Sequence, residues 1–340
     1  MSNLDFIAAK VRGMRGKLYE NDALRRLCQQ PNIEELAAHL APDQPIGSTI
    51  ALQRFLTTQH VADLYRVHIL LDGWHKQISL WMLRRYQVEN LKVLLRCWNS
   101  EADSQTHTAF TAQLPDPLAL PTDQLMAASS LEELLHRIPI PQLSQGALRG
   151  LGDFEESGRL FYVEAGIDQA YLTELLRLAD TASGPGAQHT AKLVRLELDI
   201  YNVMLVLRAV FNYSLNFNKL RTLFAPLGPR IGLDTLENLR SATDADHAAQ
   251  LIPATLIGRR SGPLTGDDAE TTMWNVLYRT ANRLYYASIL DFGTVAAFYY
   301  IKRTELANLI KISELIRYGL PADLIPRQLI ASQNALERTA

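Results

Sequence analysis

The densest group of acids in the chain is Gly266-Asp267-Asp268-Ala269-Glu270. Two Asp-rich motifs facing each other across a helical bundle would hold Mg²⁺ through oxygen ligands. Here a single cluster follows a Gly/Pro-rich loop, and its spacing suits the first turn of a helix, where the backbone dipole favours carboxylates. The eight histidines are scattered, with His60 and His68 eight residues apart and His68 and His75 seven apart. Each pair can share a helix face, but no His-Glu-x-x-His or His–carboxylate group accompanies them, so no metal site is expected. Gly258-Arg259-Arg260-Ser261-Gly262 could touch a phosphate but has nothing to orient one. No phosphate-cradling Gly-x-x-x-x-Gly-Lys loop occurs. Gly146, Gly150 and Gly152 follow no strand and read as turn glycines rather than a dinucleotide fingerprint. These residues imply no catalytic group, no metal and no cofactor.

The elements behind them read as helical. The chain has 340 residues, of which 34 are Lys or Arg and 36 Asp or Glu, giving a net charge of −2. That balance argues against a nucleic-acid footprint. With 47% apolar and 21% charged residues, the composition is that of a folded protein, and the length suits two or three domains. Cys28 and Cys97 have no metal-like spacing, so free thiols in a reducing compartment are expected. The opening residues lack the pattern of a signal peptide. No apolar run is long enough to span a bilayer, because Arg208, Asp291 and Lys302 interrupt the nearest candidates.

Ile7, Val11, Met14 and Leu18 form one stripe of a helix over residues 4–18. Pro31 and Asn32 open a short helix that Pro42 and Pro45 end. A long helical region runs from about Thr49 to Trp98, broken near Asp72-Gly73. Strand signals are almost absent, so the expected class is all-α. Residues 114–121 and Pro226-Leu227-Gly228-Pro229 read as linkers, and Ser183-Gly184-Pro185-Gly186 reads as a tight loop between helices.

The linkers cut the chain into three pieces that resemble one another. Gln87-Val88-Glu89-Asn90-Leu91, Asp199-Ile200-Tyr201-Asn202-Val203 and Glu305-Leu306-Ala307-Asn308-Leu309 align on their asparagines, about 110 residues apart. An acid or amide falls three residues before each Asn. Earlier in each piece a short acidic helix recurs, at residues 32–36, 130–134 and 244–248. The expected domains are 1–104, 105–222 and 223–340. An Asn recurring on an apolar helix face implies a buried, hydrogen-bonded amide rather than a catalytic one, since an unpaired amide in a core costs about 1–3 kcal/mol.

Two surfaces lack an obvious use. Lys10, Arg12, Arg15 and Lys17 sit on the first helix, with Lys10 and Lys17 flanking its apolar stripe. They could be solvated cations, or they could meet anionic headgroups or an acidic partner. The stretch from Lys192 to Tyr213 is apolar on nearly every face and must be covered on all sides. Aromatic residues concentrate in the third piece, where core packing is the simplest use and an apolar docking surface the alternative.

The opening Ala8-Ala9-Lys10-Val11-Arg12-Gly13-Met14-Arg15-Gly16-Lys17-Leu18, the three-fold repeat and Ala296-Ala297-Phe298-Tyr299-Tyr300-Ile301-Lys302-Arg303-Thr304-Glu305-Leu306-Ala307-Asn308-Leu309 resemble the C-subunit family of the V/A-type rotary ATPases. The vacuolar ATPase relative is known as the d-subunit. The likeness runs from about Phe6 to Leu329, and the Lys302, Glu305, Asn308 pattern is its most specific part. It implies three helical-bundle domains in a pseudo-three-fold funnel, acting as a non-catalytic rotor part present once per complex. Its base would rest on the membrane proteolipid ring, and its cavity would receive the central shaft subunits. The membrane stator subunit is a further possible neighbour, and the place would be the cytoplasmic face of the membrane. The framework residues would be Asn90, Asp199, Asn202, Lys302, Glu305 and Asn308. Two departures stand out. Asp291-Phe292-Gly293-Thr294 replaces a proline that the family often has before the last long helix, and Glu314 stands where the first two repeats have arginine. The competing reading is a soluble helical-repeat scaffold or adaptor without a role in ion transport, although its repeats would normally be far shorter.

Overall fold

The computed structural model describes residues 4–330 except 102, 103, 214, 229 and 259–261. Helix makes up 72% of the described residues and no strand occurs among them, so the all-α expectation holds.

Three long helical hairpins dominate. Thr49–His68 pairs with Gly73–Asn99, Phe161–Thr181 with Ala187–Val206, and Gly266–Ala287 with Phe292–Arg317. The first hairpin turns at Asp72-Gly73, where Gly73 adopts a φ of 52°, and the second at residues 182–186. Short helices lead into each hairpin, and their starts follow from local chemistry. In Ile33–Leu40, Leu131–His136 and Ala245–Gln250 the residue before the helix caps it. Asn32 accepts from the Glu35 amide at 2.8 Å, Ser130 from that of Glu133 at 3.1 Å, and Asp244 from that of His247 at 2.8 Å. Each cap satisfies an amide that the first turn leaves without a helical partner. The acids at 267 and 268 likewise lie in the first turn of helix 266–287, capped by Thr265.

The hairpins also contact one another in order. Helix 73–99 packs on helix 161–181, helix 187–206 on helix 266–287, and helix 292–317 on helix 49–68. The second helix of each hairpin thus lies against the first helix of the next, and the third returns to the first. The opening helix, Leu4–Arg15, joins this closure by packing on helix 292–317.

Two local features differ from the sequence expectations, and the start of the last long helix has its own form. Gly146 is not a turn residue. It lies inside helix Pro141–Arg149, where a Cβ would come within 2.5 Å of the Gly166 carbonyl oxygen, so two helices cross there at backbone contact. The all-round apolar helix ends its α-form at Val206 and continues as a widened π-helix over Leu207–Asn212. The start of the last long helix, without proline, is shaped by Asp291, whose carboxylate accepts from the Gly293 amide at 2.7 Å. Gly186, at a φ of 84°, leaves no room for a Cβ, which would fall 2.3 Å from the Gly293 nitrogen.

Candidate functional site

Each repeat asparagine does the same thing. Asn90 donates to the Ala112 carbonyl at 2.7 Å and accepts from the Ala112 amide at 3.0 Å. Asn202 holds Ala225 at 3.1 and 2.9 Å, and Asn308 holds Ile330 at 2.8 and 2.9 Å. A planar side-chain amide presents one donor and one acceptor side by side, so it pairs with a peptide as another peptide would. The segment after each long hairpin is thereby clasped back onto its own second helix. Ala112 and Ala225 lie just past the cuts expected at 104 and 222, so these two clasps reach across the expected boundaries.

Six residues after each asparagine stands a polar residue that reaches the next repeat. Arg96 forms a two-point pair with Glu164 at 2.6 and 2.8 Å. Arg208 reaches both oxygens of Glu270 at 2.8 and 2.7 Å. At the third seam Glu314 accepts from Gln53 at 2.6 Å. The acid that departs from the arginine pattern therefore meets an amide where the other seams have an acid.

Five residues before each asparagine stand Arg85, Glu197 and Arg303. All three line one cleft of about 370 Å³. Arg303 pairs with Glu197, which is buried and also accepts from the Tyr300 hydroxyl at 2.7 Å. Burial would raise the Glu197 carboxyl, but the guanidinium groups of Arg303 and Arg85 and those hydrogen bonds hold it below the ordinary carboxylate range. Arg85 pairs with Glu89 at 2.7 Å and Lys92 with Asp168 at 3.2 Å. The Arg96–Glu164 and Arg208–Glu270 seams form further walls of the cleft. Two more concavities, of about 710 and 400 Å³, adjoin it through Glu89 and through Arg303 and Glu270.

The other framework residues tie the chain together. Lys302 pairs with Asp63 at 3.1 Å and with Glu305 at 3.5 Å. Glu305 accepts from the Tyr19 amide at 2.7 Å. Asp199 is fully buried with Arg230 at 3.3 Å, and burial pushes its carboxyl up to about 6. The four cations of the opening helix divide into two pairs. Arg12 donates to the Ser288 carbonyl at 3.2 Å, and Arg15 reaches Asn282 at 2.7 Å and stacks over Tyr285. Lys10 and Lys17 make no ion pair among the described residues and line a separate groove. Arg259 and Arg260 lie outside the described residues.

Sequence reasoning missed Arg85, Glu197 and Arg303, and also the seam acids Glu164 and Glu270. The signal was present for the first group, because all three share one offset from the aligned asparagines. Glu197 was also one of two acids, with Asp199, on an otherwise apolar helix. Among the described residues, no three His, Cys, Asp or Glu side chains gather as a metal site, and no helix is long and apolar enough to cross a membrane. Cys28 and Cys97 are free and buried.

These features define an all-helical protein with three long hairpins, each followed by a segment held in an asparagine clasp, and with polar seams between the hairpins beside a charged cleft. The chain belongs to the ATP synthase (C/AC39) subunit family, whose model matches residues 7–328. It is 21% identical to the C-subunit of the A-type ATP synthase of Methanobrevibacter smithii, over 95% of this chain and 87% of that protein. It is 22% identical to the corresponding protein of Methanothermobacter thermautotrophicus over 94% and 86%. With that of Haloferax volcanii it shares 22% identity over 97% and 98%.

Proposed function

We propose that the chain is the non-catalytic central-stalk subunit of a V/A-type rotary ATPase, present once per complex. Its domains, 1–104, 105–222 and 223–340, form a pseudo-three-fold funnel on the cytoplasmic face of the membrane. The base rests on the proteolipid ring, the cavity receives the central shaft subunits, and the membrane stator subunit lies nearby. The protein binds no nucleic acid and no cofactor, and it passes torque between ring and shaft during ATP-linked proton or sodium transport.

The observation that carries this reading is the cyclic packing, in which each hairpin grips the next and the third grips the first. A torque-bearing collar needs resistance to shear in every direction, and closely packed interlocked helices supply it. The charged cleft supports a separable, polar contact with the shaft, because such interfaces are less apolar than permanent ones. The family match and the A-type ATP synthase relatives support the assignment to this machine.

The test is affinity purification of the tagged full-length chain from detergent-solubilised membranes of its own cell. Proteolipid and shaft subunits should co-purify with one copy of this chain per complex. Recovery of the chain without them would remove the proposal.

A further inference from the structure

A groove of about 450 Å³ lies between helices 4–15, 49–68 and 292–317 and shares no lining residue with the central cleft or the two concavities beside it. Its two long walls run antiparallel, since Gln53 meets Glu314 whereas Asp63 meets Lys302. The groove is therefore graded along its length. Phe55, Leu56, Leu306 and Leu309 line one end, and Asp63, Arg66 and Lys302 line the other.

Charge along the groove is unbalanced. Arg66 and Lys302 share the carboxylate of Asp63, at 3.2 and 3.1 Å, and Lys302 also has Glu305. Lys10 and Lys17, on the third wall, have no counter-charge among the described residues. Four cations thus face two carboxylates in a channel whose far end is hydrocarbon. We propose that this groove binds one long-chain carboxylate amphiphile, with its head drawn to the charged end by the surplus of Lys10 and Lys17 and its chain laid over Phe55, Leu56, Leu306 and Leu309. The volume favours such a ligand over a partner helix. Sites for small ligands run roughly 300–1,000 Å³, whereas a docked helix needs apolar anchors repeated over two or more turns. Burying the chain supplies affinity in proportion to apolar area, and the two lysines supply the preference for an anion.

Titration calorimetry of the full-length protein with oleate below its aggregation concentration tests this. One oleate per chain is expected to bind saturably. The double variant Lys10→Glu/Lys17→Glu should bind roughly tenfold more weakly. Neither lysine forms an ion pair among the described residues, so folding should be unaffected and is checked by circular dichroism. Lys192→Glu, an exposed reversal in the second hairpin, should bind as the parent does. Oleyl alcohol lacks the charge and should bind roughly tenfold more weakly, and hexanoate lacks the chain and should bind at least about 100-fold more weakly. Non-saturable uptake, unchanged affinity in the double variant, or equal binding of hexanoate or oleyl alcohol would overturn the proposal. So would an acidic amphipathic peptide that occupies the groove and is not displaced by oleate.

Discussion

Gln53 donates to Glu314 across 2.6 Å, joining the first hairpin to the third over 261 residues of chain. At the two other seams the second helix of one repeat supplies an arginine and the first helix of the next supplies a glutamate. The third seam keeps the geometry and exchanges the polarity. Gln53→Glu should therefore set two carboxylates together at this half-buried contact and destabilise the protein by about 1 kcal/mol. Adding Glu314→Arg should recover that loss by rebuilding the seam in the form of the other two. A double-mutant cycle from urea unfolding checks this, with a coupling energy of at least about 0.5 kcal/mol expected. Purely additive effects would mean that the seam carries no coupling.

The asparagine clasps should be costly to remove. Replacing Asn202 by Ala leaves the buried amide and carbonyl of Ala225 without partners and should cost about 1–3 kcal/mol. Asn90→Ala should cost less, because that side chain and Ala112 are nearer solvent. Asn202→Asp keeps the acceptor, loses the donor and places a charge against a carbonyl, so it should be at least as damaging as alanine. Denaturant midpoints for the three variants test the ranking.

Glu197 and Arg303 should behave as a unit. Arg303→Met strands a buried carboxylate and should cost about 3–5 kcal/mol. Adding Glu197→Gln removes the charge and keeps an acceptor for the Tyr300 hydroxyl, so much of the loss should return. If the double variant is no more stable than Arg303→Met alone, the pair is not what the arginine serves.

Asp199 gives a pH signature of defined sign. Its carboxyl is raised from 3.8 to about 6 in the fold, so the folded state prefers the neutral form. That preference contributes fully below about pH 4 and is lost as the pH climbs through 6, a swing of roughly 3 kcal/mol at most. Asp199→Asn should flatten the dependence, matching the parent near pH 4 and exceeding it near pH 8. The same position in the first repeat is already an amide, Gln87, which is buried without difficulty. Thermal midpoints that run parallel for parent and variant across this range would refute the assignment.

Much of the local architecture was legible in the residues. Asn32 marked one helix start and the recurring acidic segments at 130–134 and 244–248 marked two more, and in the structure Asn32, Ser130 and Asp244 cap these helices. Asp72-Gly73 marked the first hairpin turn. The aligned asparagines identified the clasps, though not what they hold, since their partners sit 22 or 23 residues further on with no sequence signature. Contacts between repeats were the illegible part. Nothing local to Arg12 or Arg15 reveals that Ser288, Asn282 and Tyr285 lie against them, so their use inside the fold emerges only from tertiary structure. Gly146 carried the same ambiguity, because a glycine that permits a turn and one that permits two helices to touch read alike in one dimension.

The return of the third hairpin onto the first has a consequence for how the protein folds. Helix 292–317 packs on helices 4–15 and 49–68, so these two segments find their covering surface only in a helix far along the chain. Ile7, Ala8 and Val11, on the first of these helices, are fully covered in the folded molecule. Contacts this distant in sequence form slowly, because a long chain must be brought together before they yield any gain. Without helix 292–317 against the first hairpin the three hairpins would form an open spiral, and that helix is the latch that turns it into a hoop.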